Sequence, residues 1–135
     1  MEKIRAERPS TEPMISRYLN ARCASLGIPA SATFELTSGC NFNCKMCYIH
    51  SAGASRCGEL SAEQWISLGR QAQELGVIFL LITGGEPLSR PDFPEIYTAL
   101  KRMGFVISIN TNGSLLGDRI ARLFAVSYTH LRAHE

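Results

Sequence analysis

The chain has 135 residues and a mass of 14.9 kDa, enough for one domain. Apolar residues make up 45% and charged residues 19%, an ordinary globular balance that excludes a disordered chain. Fourteen Lys+Arg against twelve Asp+Glu leave a net charge of +2, which gives no electrostatic case for nucleic acid or an anionic membrane.

The N-terminus, Met1 to Arg8, is charged with no apolar stretch behind it, so no secretory signal is read there. Residues 1–31 read as a lead-in. It holds a helix from about Glu12 to Leu26, with Met14, Tyr18, Ala21 and Leu26 as a weak stripe and Gly27 and Pro29 as its stop. From Ala32 the pattern sharpens into three strand–helix units. The first strand is Thr33 to Thr37, followed by a cysteine-bearing loop. A helix then opens on a capping box, Ser61 as N-cap with Gln64 three residues on, and carries Trp65, Leu68, Ala72 and Leu75 before Gly76 ends it. The second strand, Val77 to Thr83, contains the longest apolar run, Val77 to Ile82, far short of the ~20 residues of a membrane span. It is apolar on both alternating faces, as expected of a parallel strand covered on both sides. The next helix starts near Asp92, shows Ile96, Leu100 and Met103, and stops at Gly104. The third strand is Phe105 to Thr111, and the third helix carries Leu116, Ile120, Leu123 and Phe124.

This alternation predicts a parallel α/β sheet with right-handed crossovers over residues 32–124. Three units are too few to close a barrel, and the third strand would be left as a bare edge. The chain therefore reads as the N-terminal part of something larger. Residues 125–135 break the pattern where a fourth apolar strand is due, and read as a non-native or disordered tail. His130 and His134 have the i, i+4 spacing of helical metal ligands, but a tail without a chemical role is the better reading.

Five cysteines without a secretory signal argue for a reducing, cytoplasmic setting rather than a disulfide scaffold. Three of them, Cys40, Cys44 and Cys47, lie within eight residues at C-x3-C-x2-C spacing on the loop after the first strand. Such spacing turns three thiolates toward one region and suits an iron–sulfur cluster or zinc. A structural zinc site takes four ligands, and His50 or Cys57 would then be the fourth. A cubane held by three cysteines leaves one iron open to another ligand. On this motif alone the two readings are level.

The second strand ends in Thr83-Gly84-Gly85-Glu86-Pro87. Two glycines permit close backbone approach, and Pro87 holds Glu86 extended. The result is a fixed carboxylate at the carboxyl end of a strand, where parallel α/β folds bind ligands. Alone, the same text is also a tight turn before a helix. Asn110 and Asn112 close the third strand on the same face, as pocket lining or, for Asn112-Gly113, as a turn.

Taken together, the cysteine triplet and the Gly84–Pro87 motif one unit later resemble the radical S-adenosylmethionine (SAM) superfamily, from about Thr33 to Phe124. Cys47-Tyr48 and Asn110 to Gly113 are most similar to its peptide- and protein-modifying branch, many members of which carry a SPASM-type auxiliary-cluster domain. The resemblance implies a partial (β/α) barrel and a 4Fe–4S cluster on Cys40, Cys44 and Cys47. The open iron of that cluster chelates the amino and carboxylate groups of SAM. One electron then cleaves the sulfonium, and the 5′-deoxyadenosyl radical takes hydrogen from a substrate. The resemblance also places Gly84, Gly85 and Glu86, followed by Pro87, at the SAM ammonium and Met46 near adenine. On this resemblance Asn110 and Asn112 are candidates to line the SAM or substrate pocket, against a role in the turn. It implies a peptide or protein substrate and a reductant such as a flavodoxin or ferredoxin. Cys23 and Cys57 fall outside the motif and are read as helix filler and loop thiol. A family core has about six strand–helix units; this chain offers three, so the fragment itself is expected to be inactive. A non-catalytic zinc or closed-cluster module is the competing reading.

Overall fold

A computed structural model describes residues 14–51, 58–125 and 130–133. Helix α1 (Met14–Leu26) leads into strand β1 (Ser31–Glu35), the cysteine loop and a single turn, α2 (Tyr48–Ser51). Helix α3 (Ala62–Glu74), strand β2 (Phe79–Thr83), a 3-10 turn (Pro87–Ser89), helix α4 (Phe93–Arg102), strand β3 (Val106–Thr111), helix α5 (Asp118–Ala125) and strand β4 (His130–Ala133) follow. The predicted start of the first helix at Glu12 lies outside the described residues.

Local chemistry sets the helix ends. The Ser61 backbone N–H donates to Gln64 Oε1 at 2.9 Å while the Gln64 N–H donates to Ser61 Oγ at 3.3 Å, the reciprocal capping box expected for α3. Asp92 occupies the N-cap of α4 but its side chain makes no cap bond, because Arg90 Nε and Nη2 hold its two oxygens at 2.9 and 2.7 Å.

The strands form one parallel sheet in the order β1-β2-β3-β4. Register aligns Phe34, Ile82 and Ile109 in one row and Ala32, Leu80 and Ile107 in the next. These rows face α3, α4 and α5 and make the core. Trp65 of α3 lies against Phe34 with ring centroids 5.2 Å apart. Phe124 of α5 meets Tyr97 of α4 edge-on at 5.2 Å. Phe93, Ile96 and Leu100 of α4 are fully buried beneath them. Burial of this kind contributes about 1.5–3 kcal/mol per large apolar side chain, so the helix-covered face holds the fold together.

The opposite face is different. Ser31, Thr33, Phe79, Leu81, Val106 and Ser108 line an open depression there, and Phe79 and Leu81 are only half-buried. The two-sided apolar character of the second strand thus serves one covered face and one inner face of a partial barrel.

Part of the C-terminal stretch joins the sheet. Residues 130–133 do not trail away but pair in parallel with β3, from Ser108↔His130 to Thr111↔Ala133. A strand ladder is made by backbone N–H and C=O groups, and an open β3 edge offers them whatever the incoming side chains are. His130 lies in a strand, so the helical spacing to His134 does not exist there; His134 lies outside the described residues. Among the described residues no helix is long and apolar enough to cross a membrane.

Candidate functional site

The carboxyl ends of β1, β2 and β3 meet at one end of the sheet, and the cysteine triplet, the Gly84–Pro87 motif, Asn110 and Asn112 lie there. The chain leaves β1 at Leu36, whose N–H donates to Thr83 O at 2.9 Å as a last rung between β1 and β2. The loop then folds over the end of β2. Gly85 N–H donates to Thr37 O at 2.7 Å and Glu86 N–H to Gly39 O at 2.9 Å. A Cβ on Gly85 would sit 2.1 Å from Gly39 O, and one on Gly84, at φ 139°, would sit 2.4 Å from Thr37 O. The close approach anticipated for these glycines therefore has a partner inside the protein: the root of the cysteine loop.

Cys40, Cys44 and Cys47 lie on this loop outside any disulfide, Cys44 exposed and the other two half-buried. Cys47 N–H donates to Cys44 O at 3.1 Å, a turn that closes the x2 spacing. Cys40 Sγ accepts from Phe42 N–H at 3.4 Å and from Asn112 Nδ2 at 3.9 Å. Among the described residues no three His, Cys, Asp or Glu side chains converge where a single metal ion would sit. Cys57 and the side chain of His50, the candidate fourth ligands of a zinc site, lie outside the described residues. A cubane cluster meets each thiolate at a separate iron, so it asks for three cysteines outside disulfides along one loop and for N–H groups turned to sulfur. The donor set here fits that description.

Glu86 is fully buried. Its backbone is extended before Pro87, as anticipated, at φ −130° and ψ 104°. Its Oε1 accepts from Leu88 N–H at 2.9 Å and from Thr111 Oγ1 at 2.8 Å, and its Oε2 accepts from Asn112 N–H at 2.7 Å. A carboxylate has about four acceptor positions, so roughly one remains for anything else. The side chain ties the end of β2, the 3-10 turn and the end of β3 into one unit.

Asn110 projects from the open face of β3, and its buried Oδ1 has no hydrogen-bond partner. Asn112 lies just past β3 and reaches the cysteine loop through Nδ2, which donates to Asn41 Oδ1 at 2.9 Å. Met46 is 94% exposed between the second and third cysteines. Pro87 is buried as the first residue of the 3-10 turn. Cys23 lies half-buried on α1.

Several supporting residues were not legible beforehand. Arg90 donates to Leu36 O at 2.7 Å, Leu60 O at 2.9 Å and both oxygens of Asp92, and pairs with Glu59 at 3.4 Å. Its hydrogen bonds hold the Asp92 carboxyl below the usual range, against a smaller opposing effect of burial. Thr37 Oγ1 donates to Glu59 Oε1 and accepts from Gly39 N–H at 2.9 Å. This chain of contacts runs from α4 to the root of the cysteine loop. At the loop's far end Tyr48 Oη donates to Glu35 Oε1 at 3.0 Å. Burial first, and the Glu35 carboxylate second, push the Tyr48 hydroxyl above its ordinary value. The one sequence signal for Arg90 is its place three residues after Pro87, which no helical or strand periodicity marks.

Residues 34–131 match the family model of the Radical SAM superfamily. A PqqA peptide cyclase of Streptomyces rochei is 38% identical over 89 residues, which are 66% of this chain and 24% of that protein. A probable GTP 3′,8-cyclase of Methanothermobacter thermautotrophicus is 45% identical over 94 residues, 69% of this chain and 30% of that protein. Among solved structures, Streptococcus suis SuiB bound to precursor peptide SuiA superposes with a TM-score of 0.69 at 20% identity, over 96% of this chain and 32% of SuiB. SuiB bound to S-adenosylmethionine gives 0.67 at 24% identity, over 87% and 28%. At these identities the structures establish a shared fold. The chain spans about a quarter to a third of the length of these proteins.

Proposed function

The chain belongs to the radical SAM superfamily, and from that premise we propose that it is the N-terminal part of the core domain of an enzyme that modifies a peptide or protein. The observation that carries this reading is the direct seating of the cysteine loop on the Gly84–Gly85–Glu86 backbone, at 2.7 and 2.9 Å. It puts three cysteines and a fixed carboxylate at one end of the sheet, next to the open inner face.

Cys40, Cys44 and Cys47 would hold a 4Fe–4S cluster. When bound, that cluster supplies the electron that cleaves SAM into methionine and a 5′-deoxyadenosyl radical, which takes a hydrogen atom from the substrate. The chain's own residues bind and orient. Gly84 and Gly85, whose missing Cβ atoms admit the root of the cysteine loop, present backbone to the SAM ammonium. Glu86 lends its negative charge from just beneath, anchored by three hydrogen bonds and stiffened by Pro87. Met46 is exposed and free to lie over the adenine. Asn110 offers an unpartnered oxygen to SAM or substrate on the inner face, and Asn112 closes the same corner.

A peptide substrate is supported by the likeness to a PqqA peptide cyclase and to SuiB with its precursor peptide. The likeness to a probable GTP 3′,8-cyclase supports the same radical chemistry on a nucleotide as the second reading. A flavodoxin- or ferredoxin-type reductant would deliver the electron. A SPASM-type domain would lie beyond this chain. A cytoplasmic location suits free thiols. We divide the chain into a lead-in at 1–31, the core at 32–124 and a terminal stretch at 125–135, of which 130–133 pair with β3. The test is anaerobic incubation of the reconstituted longer protein with SAM and dithionite. Formation of 5′-deoxyadenosine supports the reading. A protein that loads stoichiometric zinc, takes up no iron and cleaves no SAM would instead be a non-catalytic metal-binding module.

A further inference from the structure

Asn112 makes more contacts at the candidate site than a pocket-lining residue needs. Its backbone N–H donates to Glu86 Oε2 at 2.7 Å. Its Oδ1 accepts from the N–H and the hydroxyl of Ser114 at 3.0 and 2.6 Å. Its Nδ2 donates to Asn41 Oδ1 at 2.9 Å and lies 3.9 Å from Cys40 Sγ. Asn41 closes the ring by donating from its own Nδ2 to Ser114 Oγ at 2.8 Å. The three side chains therefore form a closed hydrogen-bonded ring, which fixes the amide orientation of Asn112: the oxygen must face Ser114 and the NH2 must face the cysteine loop.

Topology makes this ring informative. Strands β1 and β3 are not neighbours, since β2 lies between them. The loop after β1 crosses the end of β2 on the Gly84–Gly85 backbone and is fastened on the far side by Asn41, the residue directly after Cys40. The first cysteine is thus held between two fixed points, the glycine backbone and the β3 turn.

We propose that Asn112 is a positioning residue for the first cysteine ligand: its side-chain NH2, shared between Asn41 Oδ1 and Cys40 Sγ, fixes the Cys40 thiolate on the β3 side of the site and stabilises negative charge on it. This rests on the reading of Cys40 as a cluster ligand. Hydrogen bonds to ligating sulfurs help set the potential of an iron–sulfur cluster. Reduction adds negative charge to the cluster, and an N–H turned to sulfur stabilises that charge. Removing the donor lowers the midpoint potential.

The test uses the whole chain, reconstituted anaerobically with iron and sulfide, as wild type, Asn112→Ala, Asn112→Asp and Asn41→Ala. Asn112→Asp keeps the shape and the acceptor for Ser114 but turns an oxygen toward Cys40. Iron content and the midpoint potential, from an EPR-monitored redox titration, are read for each. The expected result is near wild-type iron in all four, a potential moved downward in Asn112→Ala and further in Asn112→Asp, and a smaller shift in Asn41→Ala, which leaves the Asn112 donor in place. Wild-type potentials in both Asn112 variants would overturn the proposal. So would loss of iron from both variants with the fold intact by circular dichroism, because the ring would then be needed for assembly and not for tuning one ligand. Absence of iron from the wild type itself would overturn the cluster reading beneath it, an outcome distinct from either.

Discussion

Replacing Glu86 by Gln tests whether the buried carboxylate holds the site together. The substitution keeps the size and removes one acceptor. In its better orientation the new NH2 replaces Oε2 and points at the Asn112 N–H, which then has no acceptor. In the other it faces both Leu88 N–H and the Thr111 hydroxyl. The better orientation leaves one buried donor unsatisfied, at about 1–3 kcal/mol. The two remaining bonds fall from charge-assisted to neutral strength, at roughly 1 kcal/mol each. The sum is about 3–5 kcal/mol, a large part of the ~5–15 kcal/mol that stabilises a small domain. At this chain length that corresponds to a melting point lowered by about 10–20 °C. Thermal unfolding of the metal-free protein by far-UV circular dichroism reads it, with Glu63→Gln on the exposed face of α3 as a control expected within ~0.5 kcal/mol of wild type. A melting point unchanged in Glu86→Gln, with SAM affinity alone reduced, would refute the reasoning and give the carboxylate wholly to the ligand.

Gly85→Ala drives a Cβ to within 2.1 Å of Gly39 O, a backbone atom that cannot turn aside; overpacking of this kind costs about 1–3 kcal/mol or more, and iron loading of the reconstituted protein is expected to fall with stability. Arg90→Ala removes the donors to Leu36 O and Leu60 O and is expected to cost about 2–4 kcal/mol in urea unfolding, and Arg90→Lys is expected to recover little of it because one ammonium cannot span those groups. The folded pKa of Asp92 is depressed by Arg90, so its contribution is present above its unfolded pKa of about 3.9 and is lost as pH falls through the folded value; in Arg90→Ala that part of the acid destabilisation disappears from a pH series of unfolding midpoints. Cys44→Ala is expected to abolish cluster loading and Cys57→Ala to leave it nearly intact; equal iron loss in both would revive a four-ligand site.

The elements were legible where local chemistry decides them. Ser61 and Gln64 announce the start of α3, and the stripe Ile96–Leu100 marks the buried side of α4. Strand limits moved by a residue or two: Leu36 and Thr37 continue the alternation of β1, but the chain is already turning over β2. Strand β4 was missed because its polar residues carry little strand propensity, and its place is set by the β3 ladder. The cysteine triplet and the Gly-Gly-Glu-Pro motif were legible as chemistry, but not what they touch. That Gly85 packs on Gly39, that Arg90 braces Leu36, and that Asn41 meets Asn112 across β2 are contacts between segments 46, 54 and 71 residues apart. No spacing rule along the chain encodes them.

The central claim is that Cys40, Cys44 and Cys47 hold a SAM-binding 4Fe–4S cluster beside the Gly84–Glu86 backbone. Its most direct test is the EPR spectrum of the anaerobically reconstituted, dithionite-reduced chain, recorded with and without SAM. The account predicts a reduced 4Fe–4S signal that changes when SAM is added. A signal indifferent to SAM, or a protein that fills with zinc and takes up no iron, would contradict it.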